Sequence, residues 1–201
     1  MTQPAPSRPQ PNNRPNSRSG PRSLAVFLLC CLAAAPLLAQ SLPTEDDVKA
    51  VYLFNFSRFV RYPAADPPTA KTFDICLIGH DDIGPLLQSD VQSENVNGQP
   101  VRILQLPRAA DARACAIAYM GSSEASRIDK DLAALDGSNV LTVSDVPHFT
   151  DRGGMIQFVL QNNRVRFAVN LSPAEHAHLA LSSELLKVAL TVNHPPSTEA
   201  P

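Results

Sequence analysis

The sequence ACAIAYM, residues 114–120, decides the fold class of this 201-residue chain. Every side chain in it is apolar or small, so a strand formed by it would be buried on both of its faces. Strands of this kind belong to parallel sheets that are covered by helices on both sides, whereas half-exposed strands alternate apolar and polar residues. The stretch therefore predicts an α/β domain.

The segments on either side support the same fold class. Helical patterns at residues 81–92 and from Ser122 or Ser123 to Leu135 alternate with short apolar strands, and Asn97-Gly98 forms a turn. The predicted strands are residues 73–78 (FDICLI), 101–106, 114–120 and 139–143. The alternation predicts a parallel or mixed sheet with helices on its faces.

A β-hairpin is predicted near residue 160. Residues 155–161 and 164–169 form its two strands, and Asn162-Asn163 suits a tight turn because Asn tolerates positive φ. This loop places three apolar pairs on one face and three largely polar pairs on the other. The apolar pairs are Leu160 with Val165, Phe158 with Phe167, and Ile156 with Val169; the other pairs are Gln161 with Arg164, Val159 with Arg166, and Gln157 with Ala168. Gly153-Gly154 is expected to form a flexible entry.

Helices are predicted at both ends of the domain. Thr44, followed by three acidic residues, caps a helix that runs to Tyr62, before Pro63. Its predicted buried face consists of Val48, Val51, Tyr52, Phe56, Phe59 and Tyr62. Phe54 lies off this face, near Arg58 and Arg61, either at the edge of the core or as a contact for another molecule.

The last part of the chain completes a compact single domain, with a mixed sheet flanked by helices and ending in the hairpin and two helices. Ser172 to Glu175 reads as a capping box with Pro at the first helical position. The final helix is predicted over residues 183–192, and residues 194–201 are expected to form a flexible tail.

Residues 1–39 are interpreted as a cleavable signal peptide with a polar leader. The leader carries four arginines and no acid, and residues 24–35 form an apolar run of the length of a signal-peptide core. This run is short for a bilayer span, although a membrane anchor is the alternative. The expected location of the mature chain is the periplasm.

Removal of the signal changes the charge and the cysteine count. All 19 acidic residues remain but only 13 of 17 Lys and Arg, so the net charge falls from −2 to near −6. Neither value suits a protein that binds nucleic acid. Cys76 and Cys115 remain, and two cysteines in an exported protein are expected to pair. Two free buried thiols and a metal site are the alternatives.

No catalytic or cofactor motif stands out. The spacing Gly79-x-x-x-x-Gly84 lacks the Lys-Ser/Thr of a nucleotide-binding loop and is interpreted as a tight strand-to-helix turn. His176 and His178 would point about 200° apart on a helix, so they cannot share a metal ion there. The sequence therefore predicts no enzyme, no metal and no cofactor, and interaction through a surface becomes the expected function.

Eight short segments, in this order, resemble the YfiR family of periplasmic proteins over residues 44–193. They are VKAVYLFNFSRFVRYP (48–63), FDICLIG (73–79), NGQPV (97–101), ACAIAY (114–119), NVLTVSD (139–145), GGMIQF (153–158), RVRFAVNL (164–171) and SSELLKVA (182–189). The resemblance implies a compact α/β domain with Cys76 and Cys115 at the family's paired positions. It departs from members that have a second disulfide, because the candidate positions hold Thr150 and Gln157.

The resemblance also implies a function. Proteins of this kind bind the periplasmic sensory domain of a membrane diguanylate cyclase of the GGDEF type and hold the enzyme inactive. An OmpA-like outer-membrane lipoprotein can sequester the inhibitor, and a homodimer is a further expected assembly. The candidate contact residues are Phe54, Arg58, Arg61, Arg164 and Arg166. The alternative function is a periplasmic sensor module that binds a small ligand.

Overall fold

The computed structural model describes residues 42–63, 71–80 and 82–194. The predicted signal peptide and all of the predicted tail except His194 lie outside the described residues. Within them, no helix combines the length and the apolar character needed to cross a bilayer.

The first helix, α1, begins as predicted. It spans Glu45–Phe59, and Thr44 forms a capping box with Asp47: the Asp47 N–H donates to the Thr44 hydroxyl at 3.2 Å, and the Thr44 N–H donates to the Asp47 carboxylate at 2.7 Å. Its predicted end at Tyr62 is wrong. The chain leaves the helix after Phe59 because Val60–Arg61 forms strand β1, which pairs antiparallel with β9, Ala180–Leu181.

In the part of the chain that the structure describes, the main sheet has eight strands in the order β10-β8-β7-β6-β5-β2-β4-β3. Its strands are β2 Phe73–Ile78, β3 Asn95–Val96, β4 Gln99–Leu106, β5 Ile117–Met120, β6 Leu141–Ser144, β7 Ile156–Gln161, β8 Arg164–Asn170 and β10 Thr191–Asn193. The central strands β4, β2, β5 and β6 are parallel, whereas β3 and β8 pair antiparallel with their neighbours β4 and β7. The predicted α/β fold with a mixed sheet is therefore confirmed.

Helices and apolar residues cover both faces of this sheet. Among the described residues, four helices follow α1: α2 Ile83–Asp90, α3 Ile128–Leu135, α4 Leu171–His176 and α5 Ser183–Val188. Side chains of α1 and α2 join one buried cluster with Ile75 and Ile117, and side chains of α3 join a second cluster with Cys76 and Ala118. Because neighbouring residues of a strand face opposite sides, the two clusters are the two faces of the sheet.

The hairpin has the predicted register in full. All six predicted pairs are present, from Gln161 opposite Arg164 to Ile156 opposite Val169. Asn162 and Asn163 both have positive φ, at 49° and 57°, which is the conformation that a two-residue hairpin loop needs.

Three local predictions differ from the structure. Residues Ser122–Glu124 form a 3₁₀ turn, and α3 begins only at Ile128, so neither Ser122 nor Ser123 caps it. The cap of α4 is Asn170, whose side chain accepts from the Ser172 N–H at 3.2 Å, and Ser172 lies inside the helix. The last helix ends at Val188 because β10 then adds to the sheet parallel to β8.

The predicted buried face of α1 is wrong in part. Val51 and Phe59 are 49% and 36% exposed, whereas Leu53 and Phe54 are buried. The helix packs on the sheet and on α2 at the same time, and its sequence carries apolar residues on nearly every side. Under these conditions the helical period alone does not select the buried face.

Gly154 is required for close packing and is not a flexible entry as predicted. A Cβ built on Gly154 would lie 2.1 Å from Cε1 of Phe149, a fully buried ring. We expect Gly154→Ala to lower the free energy of unfolding by about 3 kcal/mol, because the ring has no free space into which it can move. Urea unfolding followed by circular dichroism measures this loss.

Gly153→Ala is the matched control. Gly153 has a φ of 98° but open space around its Cβ position, so only backbone strain of about 1 kcal/mol is expected. If both variants lose the same free energy of unfolding, the contact with Phe149 is not what excludes a side chain at residue 154.

Candidate interaction surface

A disulfide joins Cys76 on β2 to Cys115, which lies two residues before β5. Their Cα atoms are 6.1 Å apart, and both residues are buried in the cluster on the α3 face. The disulfide excludes the two alternatives for these cysteines, a pair of free buried thiols and a metal site. The bond fixes two adjacent strands at the centre of the sheet, so surfaces on this sheet are held in place.

One exposed surface of α1 combines apolar and basic side chains. We call Val51, Arg58, Phe59 and the adjoining Arg61 the outer surface of α1. Val51 and Arg58 lie about 20° apart around the helix axis at the usual 100° per residue. Exposed aromatic and arginine side chains are the residue types that contribute most to protein interfaces.

Arg58 is held in place by two contacts. Its guanidinium lies 5.0 Å from the centre of the Phe54 ring, and its Nη2 lies 3.3 Å from a carboxylate oxygen of Glu94. Phe54 is only 7% exposed and belongs to the core. The structure therefore decides for the core alternative: Phe54 supports Arg58 from below and is not itself a contact residue.

Arg61 is exposed on β1 and lies close to the start of α5. The pKa of the Glu184 carboxyl is lowered, first by its own backbone N–H and then by the Ser182 hydroxyl, with a smaller contribution from Arg61. A cleft of about 480 Å³ lies between Arg58, Arg61 and the residues Asn95–Val96 of β3. Two guanidinium groups and an amide side chain at one cleft suit an acidic or carbonyl-rich segment of a partner.

Arg164 and Arg166 belong to a different surface. Val165 and Phe167, which alternate with them along β8, lie in the core cluster on the α1 side. The two arginines therefore project from the opposite face of the sheet. Arg164 is exposed, and Arg166 donates to the carbonyl of Val188 at 3.3 Å. The structure does not bring the predicted contact residues together into one site.

Sequence reasoning missed Val51 and Phe59 as surface residues because both were assigned to the core. Their sequence signal is their separation from Leu53, about 160° and 120° around the helix axis, which becomes informative once the buried side is known. Among the described residues, no group of three or more His, Cys, Asp or Glu side chains is arranged to hold a metal ion.

A disulfide-linked α/β domain with an exposed apolar and basic helix surface has the features of a domain that contacts another protein. The family model described as YfiR/HmsC-like matches residues 46–190, and the chain belongs to this family. At the level of the family, this supports a periplasmic regulator of diguanylate cyclases, which is a regulatory and non-catalytic class. A search of curated proteins finds no match.

Two solved structures match part of this chain. A conserved domain protein from Vibrio cholerae O1 biovar El Tor has a TM-score of 0.51 and 12% identity, and the match covers 75% of this chain and 60% of that one. An ABC domain from Streptococcus pneumoniae in complex with L-Trp has a TM-score of 0.47 and 9% identity, with 70% and 58% covered. This chain thus spans less than two thirds of either protein. The first similarity concerns the fold alone, and the second carries no argument.

The positions of the second family disulfide are neighbours in this structure. The backbone N–H and the hydroxyl of Thr150 lie 3.3 Å and 3.4 Å from Oε1 of Gln157. The Asn170 amide also donates to the Thr150 carbonyl at 2.9 Å. Hydrogen bonds therefore hold this loop where the resemblance implies a covalent link in other members.

Proposed function

We propose that the mature chain acts in the periplasm by binding the periplasmic sensory domain of an inner-membrane diguanylate cyclase and repressing the enzyme. The observation that carries the proposal is the outer surface of α1 on a domain of the YfiR/HmsC-like family. The buried disulfide adds support, because such bonds persist in oxidising compartments and are rare in the cytosol.

The proposed mechanism is a shift of a conformational population. A ligand that binds the inactive state of the cyclase more tightly than the active state displaces the equilibrium by that difference. To move an even balance to one active molecule in a hundred takes about 2.7 kcal/mol of differential binding. An interface with a few well-placed aromatic and arginine contacts supplies energies of this size.

The outer surface of α1 leads to a prediction in cells. We expect Arg58→Glu/Arg61→Glu to abolish repression, because it replaces both exposed cations at the cleft with anions. Intracellular cyclic-di-GMP should rise several-fold, to the level of a strain lacking the gene, and expression of the unaltered chain should restore it. The measurement is cyclic-di-GMP quantified by mass spectrometry in strains that produce each variant at equal levels.

Two matched variants separate this surface from general effects of charge. Lys130→Glu makes the same type of change on α3, across the sheet, and should leave repression intact. Arg164→Glu/Arg166→Glu tests the hairpin surface separately. If only the hairpin variant loses repression, the interface lies on the hairpin and not on α1. If both double variants repress fully, neither surface binds the cyclase.

Binding of an outer-membrane lipoprotein and formation of a homodimer are two further proposals for the outer surface of α1. An OmpA-like outer-membrane lipoprotein that binds the outer surface of α1 would compete with the cyclase and release it. A homodimer that forms through this surface would also prevent the surface from binding the cyclase. Mutation of Phe59, which is 36% exposed, should weaken any of these contacts.

A further inference from the structure

The outer side of β4 is only partly covered by β3. The two residues of β3 pair with Gln99 and Pro100 of β4, and the N–H of Val101 donates to the carbonyl of Glu94 at 3.2 Å. Beyond this point, residues 102–106 have β2 on one side and no described strand on the other. We call this uncovered side of residues 102–106 the open edge of β4.

The open edge carries unpaired backbone groups. Consecutive residues of a strand direct their N–H and C=O groups to opposite sides, so the outward N–H of Val101 places those of Ile103 and Gln105 on the open edge. The backbone groups of Leu104 point to β2 instead. Among the described residues, none forms a hydrogen bond with the backbone of Ile103 or Gln105 on this side. Two donors and two acceptors are therefore free to pair with another strand.

The open edge lacks the features that usually keep edge strands apart, which are unpaired charges, prolines and bulges. Its one charged side chain, Arg102, is neutralised by Asp74 through hydrogen bonds of 2.9 Å and 2.6 Å. Ile103, Leu104 and Leu106 are apolar and partly exposed. Free backbone groups beside apolar side chains favour the addition of a strand over the binding of a charged ligand.

The corresponding side of β8 is better protected. Arg164 and Arg166 lie on the part of this strand that β10 does not reach, and neither forms an ion pair with a carboxylate of the described residues. Pairing of two such strands would bring four guanidinium groups together, and like charges across paired strands are destabilising. The Phe167 carbonyl also accepts from the N–H of Leu190 at 2.7 Å. The open edge of β4 is therefore the better place for a further strand.

We propose that two copies of the chain pair through their open edges, with the two β4 strands antiparallel and Leu104 opposite Leu104 of the second copy. In this register Ile103 lies opposite Gln105 of the second copy. Each such pair exchanges both of its N–H···O=C bonds, so four bonds use all of the free groups of both edges. A two-fold axis gives every contact twice, which is why one edge can complement itself.

The neighbouring residues agree with this register. Centring the pair on Ile103 would place Gln105 of the second copy opposite Val101, where Glu94 already lies. Centring it on Leu104 avoids this overlap. Arg102 then lies opposite Leu106 of the second copy, so no like charges are directly opposed. The pairing goes beyond the proposed repression of a cyclase, and it differs from a homodimer through the outer surface of α1.

Analytical ultracentrifugation of the oxidised mature chain tests the proposal. We expect the mass to double as the protein concentration rises. Leu104→Lys should weaken the dimer by at least about tenfold, because it replaces an apolar contact at the axis with two opposed ammonium groups. Leu160→Lys is the matched control: Leu160 is a strand leucine on the hairpin, 54% exposed, and its replacement should leave the dimer unchanged.

A mixing experiment tests the contact of Leu104 with itself. The Leu104→Lys and Leu104→Glu variants should each be monomeric alone and should form a dimer when mixed, because the axis then joins opposite charges. Gln105→Pro is a second variant that removes one outward N–H without removing a bond to β2, and it should also weaken the dimer. Circular dichroism checks that each variant is folded.

Hydrogen exchange gives a readout that does not depend on substitutions. Exchange at the amides of Ile103 and Gln105 should slow as the concentration of the unaltered chain rises, while the amide of Leu104, which is bonded to β2, should not respond. A chain that stays monomeric up to about 1 mM overturns the proposal. So does a dimer that survives Leu104→Lys but is lost in Arg58→Glu/Arg61→Glu, which assigns self-association to the outer surface of α1. These measurements use the purified protein, so they can fail without any effect on the proposed function.

Discussion

Replacement of both Cys76 and Cys115 by alanine should lower the free energy of unfolding by about 4 kcal/mol. The two residues are 39 positions apart, and the bond removes the loop-closure entropy of this segment from the unfolded chain. Both sulfur atoms are also buried against the α3 side of the sheet, so their loss leaves a small unfilled volume. We therefore expect one of the largest effects of any substitution in the domain.

Thermal unfolding of the oxidised protein measures this effect. The alanine variant should melt roughly 10 °C lower, on the usual relation between free energy and melting temperature for a domain of this size. The unaltered chain under reducing conditions is the internal control and should melt near the variant. Melting of the oxidised protein and the variant within 2 °C of each other would contradict the proposed contribution of the bond.

Phe56→Ala should lower the free energy of unfolding by about 4 kcal/mol. The Phe56 ring is fully buried and lies 5.3 Å from the ring of Phe167, 5.9 Å from that of Phe158 and 6.2 Å from that of Tyr52. These rings join α1 to both strands of the hairpin. Their packing geometry adds to the burial of apolar area, and alanine would leave a cavity between three rigid elements.

Phe59→Ala is the matched control for this prediction. It is the same substitution three residues later on the same helix, at a side chain that is 36% exposed, and should change stability by less than about 1 kcal/mol. Urea unfolding followed by circular dichroism compares the two variants. A larger loss at Phe59 than at Phe56 would mean that α1 packs with a different face against the sheet.

Features defined by short-range patterns could be predicted from the sequence. The strand Phe73–Ile78 and all six hairpin pairs follow from runs of apolar residues and a two-residue Asn turn. The cap at Thr44 depends on atoms within three residues. In each case the residues that determine the structure are adjacent in the chain or directly opposite across a tight turn.

Features that depend on distant partners could not be predicted. Residues 60–61 and 180–181 form strands only because each is the other's partner, and Thr191–Asn193 becomes a strand through its contact with β8. These strands are two or three residues long and carry no periodicity of their own. The buried face of α1 likewise depends on the position of α2, which the helical period does not encode.

The candidate sites also combine features that the sequence could predict with features that depend on distant parts of the chain. The exposed positions of Arg58 and Arg61 agree with their polar character. Phe59, predicted in the core, is partly exposed, and Phe54, for which the sequence left the core and a contact surface open, is buried. A crevice at the carboxyl ends of β2, β4 and β5 brings together Asp82, Gln105 and Glu124, which are far apart in the chain. Only the order of the strands makes them neighbours, and a single sequence does not determine this order.

The two outermost strands of the main sheet, β3 and β10, have a further consequence for self-association. They contain only two and three residues and pair with residues 99–100 of β4 and 168–170 of β8, so the remaining residues of these longer strands also lie at the borders of the sheet. Long open borders are the usual starting point of fibrils and of uncontrolled polymerisation. Backbone pairing with a second copy of this protein would therefore take place along β4 or β8, beyond the reach of the two short strands.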